Sequence, residues 1–166
     1  MEVVSTKILI KARFYAEKGE CCIRKLKIYL AGAMSGLPYD EYSKWRKSVA
    51  EKLRRMNKFF SYDVDLDIID PSAYYNFEEK RHETEREAMK FDLRHVKSSD
   101  LVIVNFNKPA SQGTTAELSL AYDRDIPIIG VNESGFALHP WDEAFCDRIF
   151  SDMDKMIEYV EEFYLK

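Results

Sequence analysis

Lys27-Ile28-Tyr29-Leu30-Ala31-Gly32 is the stretch on which the fold turns. A short apolar run that stops at a glycine reads as a strand buried on both faces, the habit of parallel sheets. The loop that follows, 33–39, carries Ser35, Gly36 and Pro38. Tyr42, Trp45, Val49, Leu53 and Met56 then recur at helical spacing and predict a helix over 40–56.

The same rhythm continues outward. Residues 64–69 alternate, are rich in branched side chains, and predict a second strand ending at Asp70-Pro71. A polar segment, 78–97, puts Ala88, Met89, Leu93 and Val96 on one side and predicts a second helix. Leu101-Val102-Ile103-Val104 is an uninterrupted apolar run, the mark of a central parallel strand. A loop through Pro109 to Gly113, a helix over 115–124, a strand over 126–131 and an amphipathic helix over 152–165 complete the chain. Strands alternating with helices predict an α/β fold: a Rossmann-like or flavodoxin-like three-layer sandwich around a parallel sheet of four or five strands. Residues 26–166 form one domain on this reading. Residues 1–25 sit outside the rhythm, as an edge strand or hairpin over 8–15 or as a flexible extension.

Composition narrows the function. At 166 residues one domain buries roughly two thirds of its unfolded surface, and 46% hydrophobic content argues against disorder. A net charge of -4 supplies no basic field for a nucleic-acid polymer, which leaves a small substrate as the expected partner. No apolar run reaches membrane-spanning length. Lys7, Lys11, Arg13, Glu17 and Lys18 break up the first residues, against a signal peptide. Cys21, Cys22 and Cys146 are odd in number and form no C-x-x-C pair, so they read as reduced thiols of a cytoplasmic protein. His82, His95 and His139 lack metal-ligand spacing. Gly32-x-x-x-Gly36 lacks the third glycine of a dinucleotide fingerprint and the lysine of a P-loop, so neither a metal nor a cofactor is expected.

Ligands of open α/β sheets bind outside the carboxyl ends of the strands. Candidate binding groups there are Gly32, Ser35 and Gly36, then Asp70, then Ser111, Gly113 and Thr114. Ser111-Gln112-Gly113-Thr114-Thr115-Ala116-Glu117 offers a glycine turn, hydroxyls and free amides for a phosphate or hydroxyl, and a glutamate at a helix start. Two readings of Glu117 stand side by side: an ionised nucleophile favoured by the helix N-terminus, or the closing member of a Thr114-x-x-Glu117 capping box. Asp92 falls on the stripe of its helix that faces the sheet, where a carboxylate is costly unless paired; a boundary aspartate reaching water or Arg94 is the plainer alternative. Tyr29 near the end of its strand is either core or aimed into the same cleft. His95 reads as solvated, Asp100 as fixing a turn, Trp45 and Trp141 as core or interface, and the charges of 78–86 as a solvated helix face.

In this order and spacing, residues 27–131 resemble the nucleoside 2-deoxyribosyltransferases and their relatives, the 2'-deoxynucleoside 5'-phosphate N-hydrolases. Ile28-Tyr29-Leu30-Ala31-Gly32, Asp92 eight residues before Asp100, and Gly113-x-x-x-Glu117-Leu118-x-x-Ala121 carry the likeness. The resemblance implies that Glu117 attacks C1' to form a glycosyl-enzyme, that Asp92 protonates or orients the leaving base, and that Tyr29 holds the glutamate. A second base accepts the sugar in the transferases, and water in the hydrolases. Ser111 stands where transferases carry an aspartate for the 5'-hydroxyl and nucleotide hydrolases a serine for the 5'-phosphate, which points to a nucleoside 5'-monophosphate. Ala33 and Ser35 depart from the serine and arginine of the phosphate-specific branch, and His139-Pro140-Trp141 has no counterpart. The resemblance also implies a homo-oligomer, with the C-terminal helix and the surface from Trp141 to Phe145 as contacts. Competing readings are a lysine-decarboxylase-like nucleotide phosphoribohydrolase, a TIR-like NAD hydrolase, and a non-catalytic nucleotide sensor on the same fold.

Overall fold

The computed structural model describes residues 23–74 and 82–166. Its strands are β1 (Arg24–Gly32), β2 (Val64–Ile69), β3 (Leu101–Asn105), β4 (Ile128–Val131) and β5 (Arg148–Phe150). They form one sheet in the order β2-β1-β3-β4-β5, every neighbouring pair parallel. The helices are α1 (Tyr39–Phe60), α2 (Glu85–Lys97), α3 (Gln112–Asp123), α4 (Pro140–Phe145) and α5 (Met153–Val160), and a π-helical turn, Glu161–Leu165, extends the last. The expected parallel α/β sandwich is therefore present, with five strands and with its order reversing between β1 and β3. No helix of the described residues is long and apolar enough to cross a membrane.

The pleat of β1 divides the core in two. Leu26, Ile28 and Leu30, with Leu101, Ile103 and Ile129, pack beneath Val49 and Leu53 of α1 and Met156 and Val160 of α5. Tyr29 and Ala31, with Val102, Val104 and Ile128, pack beneath Val96 of α2 and Leu118 and Ala121 of α3. Successive side chains of a strand point to opposite faces, so the odd position of Tyr29 commits its ring to the α3 side. Each fully buried aliphatic side chain contributes roughly 1.5–3 kcal/mol, which makes a slip of β1 by one residue prohibitive.

Several boundaries differ from the sequence expectation. The fifth strand is β5, only three residues long and too short to show a period; the edge strand considered over 8–15 lies outside the described residues. Helix α1 runs on to Phe60 and ends at Ser61 in the left-handed region, φ 51°. Helix α2 begins at Glu85, with the Thr84 side chain capping Glu87 N, so 82–84 are not helical; 78–81 lie outside the described residues. Helix α3 begins earlier than expected, at Gln112, because Ser111 caps it. Strand β4 begins at Ile128, just past Pro127, which has no amide hydrogen for the ladder.

Candidate active site

The pairing of β1 with β2 stops at Tyr29 and Ile69, while that with β3 continues to Gly32 and Asn105. Asp70-Pro71 turns the chain aside at the carboxyl end of β1, where the strand order reverses and where open α/β sheets place their ligands. Gly32 ends β1 with φ 154°; a Cβ there would stand 3.1 Å from the Trp45 ring, 3.2 Å from the Asn105 carbonyl and 3.4 Å from Nη2 of Arg46. Only glycine lets the backbones and the α1 side chains approach this closely.

Near this strand end the Tyr29 hydroxyl donates to Oε1 of Glu117 at 2.6 Å. Tyr29 is fully buried, and burial together with the Glu117 charge holds its phenol well above its ordinary range, so it stays a donor. Burial is also the main influence on Glu117, pushing it up to about 8; the Tyr29 hydrogen bond pulls it down, the Asp92 charge pushes it up, and Arg46 pulls it down. Asp92 is raised to about 6 by burial, against the pull of His82 and Arg46. Asp92 lies four residues from both Ala88 and Val96, the buried positions of α2, whereas Met89, expected on that stripe, is 53% exposed. The stripe is therefore Ala88, Asp92 and Val96, and the carboxyl group sits where the helix meets the core.

The frame of Glu117 differs from the capping-box reading. Ser111 is the N-cap of α3: its hydroxyl accepts from Thr114 N at 3.2 Å and lies 3.0 Å from Thr114 Oγ1. Ser111-x-x-Thr114 closes the helix start, so Thr114 does not cap, and Glu117 lies in the second turn, facing Tyr29 rather than its own helix end. Beyond the first turn the helix dipole acts on it only weakly. Thr114 is buried beside the cap, and Gly113 is exposed on the first turn. Ser35 and Gly36 are exposed in the loop after β1, and Gly36 adopts φ 77°. Asp70 accepts from the amide and hydroxyl of Ser72, at 2.8 and 2.6 Å.

Sequence reasoning missed Arg46. It is fully buried on α1 and donates to the carbonyls of Leu30 (3.1 Å), Gly32 (2.8 Å) and Tyr42, with Asp70 Oδ1 3.9 Å from its Nε. Its signal in the sequence is an arginine between Tyr42 and Ala50 on the buried stripe. The structure also corrects His95: rather than facing solvent, its ring packs against Phe91 and Tyr74, and its buried Nδ1 has no hydrogen-bond partner among the described residues. Asp100 accepts from the amide of Lys27, Trp45 packs against the core, and Trp141 is 68% exposed. Cys146 is a free thiol, pushed up to about 12 by burial. Among the described residues no group of three or more His, Cys, Asp and Glu side chains is placed to hold a metal ion.

A family model described as "Nucleoside 2-deoxyribosyltransferase like" matches residues 25–135. Comparison with curated proteins returned no significant match. Among solved structures, a conserved protein from Enterococcus faecalis V583 is similar in fold, with a TM-score of 0.65 and 17% identity over 83% of this chain and 98% of that one. A 2-deoxyribosyltransferase from Bacillus psychrosaccharolyticus gives a TM-score of 0.60 at 19% identity, covering 80% of this chain and 91% of that one. A CMP N-glycosidase from Clostridium botulinum gives 0.50 at 17% identity, covering 82% and 98%. At these identities the solved structures establish the fold, and the family follows from the match over two thirds of the sequence: the chain belongs to the nucleoside 2-deoxyribosyltransferase-like family.

Proposed function

We propose that this protein breaks the N-glycosidic bond of a nucleoside or its 5'-monophosphate through a covalent intermediate on Glu117. The observation that carries the proposal is the 2.6 Å hydrogen bond from buried Tyr29 to Glu117 at the point where the strand order reverses. A carboxylate held by one oxygen can attack through the other, and half-burial limits its hydration.

In the first step a Glu117 oxygen bonds C1' while the C1'–N bond breaks. The electron pair goes to the base nitrogen, and Asp92 supplies the proton directly or through a base atom. Water, losing its proton to the Asp92 carboxylate, then attacks C1', and Glu117 leaves as the carboxylate. A second base attacking in place of water makes the reaction a transfer. Two displacements return the original anomeric configuration. Arg46 and the Tyr29 hydroxyl offset the developing charge on Glu117 as it departs.

Ser111 and the amides of the first α3 turn form the polar rim expected to receive the 5' end of the substrate, with Gly32, Ser35, Gly36, Asp70, Gly113 and Thr114 shaping the walls. A homo-oligomer, with a neighbouring copy against this rim, belongs to the same proposal.

The test is a panel of nucleosides and 5'-monophosphates, with and without a second free base, read by chromatography. Free base from monophosphates supports hydrolysis of a nucleotide, and exchanged base on nucleosides supports transfer. Loss of either with Glu117→Ala supports the nucleophile. Ligand binding without turnover on any member would replace this reading with a non-catalytic nucleotide sensor.

A further inference from the structure

The end of β1 has a hydrogen-bonding problem that the sheet does not solve. The carbonyl of Lys27 accepts from Asp100 N, on the side of β3. Strand carbonyls alternate in direction, so those of Leu30 and Gly32 point the other way, toward β2. There β2 has already ended, its last pairing being Ile69 with Tyr29. Buried carbonyls without donors would fray this segment, which lies immediately after Tyr29.

Arg46 supplies the missing donors. Its Nε donates to Leu30 O at 3.1 Å and its Nη2 to Gly32 O at 2.8 Å, the two carbonyls that β2 leaves unpaired, while Nη1 donates to Tyr42 O on its own helix. The guanidinium thus takes the place of a strand edge. Its planar fork matches this task, and a lysine ammonium does not. The charge is compensated by Asp70, 3.9 Å from Nε, and is felt by Glu117 and Tyr29. The Trp45 ring lies against the guanidinium at 4.6 Å from its centroid.

We infer that Arg46 is a positioning residue for the Tyr29–Glu117 pair, acting by two routes: it fixes the strand end that carries Tyr29, and it places a buried positive charge beside the pair. This rests on reading Glu117 as the nucleophile for its catalytic consequence, but not for its geometry. The groups facing Glu117 are Tyr29 from β1, Asp92 from α2 and Arg46 from α1, with His82 acting on Asp92 in turn.

The two routes separate with two variants. Arg46→Lys keeps the charge and loses the fork; Arg46→Met loses both. Arg46→Lys is expected to lower kcat about 10- to 100-fold, with KM changed less than about threefold, because a misplaced nucleophile harms the chemical step more than binding. Arg46→Met is expected to do the same and also to move the Glu117 titration, followed by carbon-13 NMR of labelled glutamate, up by about one pH unit. That titration needs no substrate, so it judges the Arg46 inference even if the panel of nucleosides is not turned over. A Glu117 titration unmoved in Arg46→Met, or an Arg46→Lys protein with wild-type kcat, would overturn the inference. If Arg46→Met does not fold, Arg46→Lys decides: a fall in kcat with the Glu117 titration near its wild-type position supports the positioning role, and a fall in melting temperature with kcat unchanged refutes it.

Discussion

Tyr29 donates a hydrogen bond to Glu117 across 2.6 Å although the two lie 88 positions apart in the chain. The contact follows from the odd position of Tyr29 on β1, which turns its ring to the α3 side, and from the placement of Glu117 in the second turn of α3. Removing the hydroxyl isolates this contact. Tyr29→Phe is expected to lower kcat/KM about 10- to 100-fold, and to move the limb of the pH profile near 8 upward, because the hydrogen bond holds down the Glu117 titration. Unfolding in urea should change by no more than about 1–2 kcal/mol.

The two carboxyl groups predict the shape of the pH profile. The proposed active form has Glu117 ionised and Asp92 protonated, the minor tautomer of the singly protonated pair, because Glu117 is pushed up to about 8 and Asp92 only to about 6. Its two protons leave in apparent steps near 6 and 8, values that belong to the pair. A plot of kcat/KM against pH is therefore expected to be a bell with its top near 7. Asp92→Asn should lower the rate and abolish the basic limb, leaving activity that rises with pH as Glu117 ionises. A basic limb that survives in Asp92→Asn would assign the acid to another group.

Glu117 also costs stability at neutral pH. Its folded value of about 8 exceeds its ordinary value of 4.5, so between these the folded state binds more protons than the unfolded state. Stability then falls as pH rises through that window, and is least burdened below it. Glu117→Gln keeps an acceptor for Tyr29 and removes the buried charge. It is expected to be more stable than wild type by roughly 2–4 kcal/mol above pH 8 and equal to it near pH 4, measured by urea unfolding at both.

Ser111 permits a substitution that preserves structure while changing charge. Aspartate caps a helix as well as serine does, so Ser111→Asp should leave the melting temperature within a few degrees, while Ser111→Ala loses about 1 kcal/mol. If the hydroxyl receives a 5'-phosphate, Ser111→Asp should lower kcat/KM for monophosphates at least about tenfold and spare unphosphorylated nucleosides. Equal effects on both substrate classes would remove Ser111 from phosphate recognition.

Gly32→Ala tests the close approach at the end of β1. Its Cβ would press on the Asn105 carbonyl and on Trp45 and Arg46, in a backbone conformation that alanine resists. A loss of about 1–3 kcal/mol is expected, with lowered kcat as the Arg46 latch shifts.

The sequence made the architecture legible where side chains obey a period. The run from Lys27 to Gly32 and the run from Leu101 to Val104 announce buried parallel strands, and both are central in the sheet. Strand β5 escaped notice because three residues show no period. The convergence of Tyr29 and Glu117 was readable only through the resemblance, since the residues alone left Tyr29 as either core or aimed into the cleft. The capping frame was not: Ser111 and Thr114 both qualify as caps, and only the backbone reveals which takes the role. Arg46 was hidden for another reason. An arginine on a helix usually extends its stem to water, and nothing local signals that β2 stops short and leaves two carbonyls for it.

The central claim is the covalent role of Glu117, and its most direct test is intact-protein and peptide mass spectrometry after rapid acid quench of the working enzyme. A 2'-fluorinated analogue of whichever nucleoside or nucleotide is turned over would slow the second step. One added sugar unit, or sugar phosphate, is expected on the peptide that contains Glu117, and none in Glu117→Gln. Turnover at the wild-type rate in Glu117→Ala, or an adduct on a different carboxylate, would contradict that role.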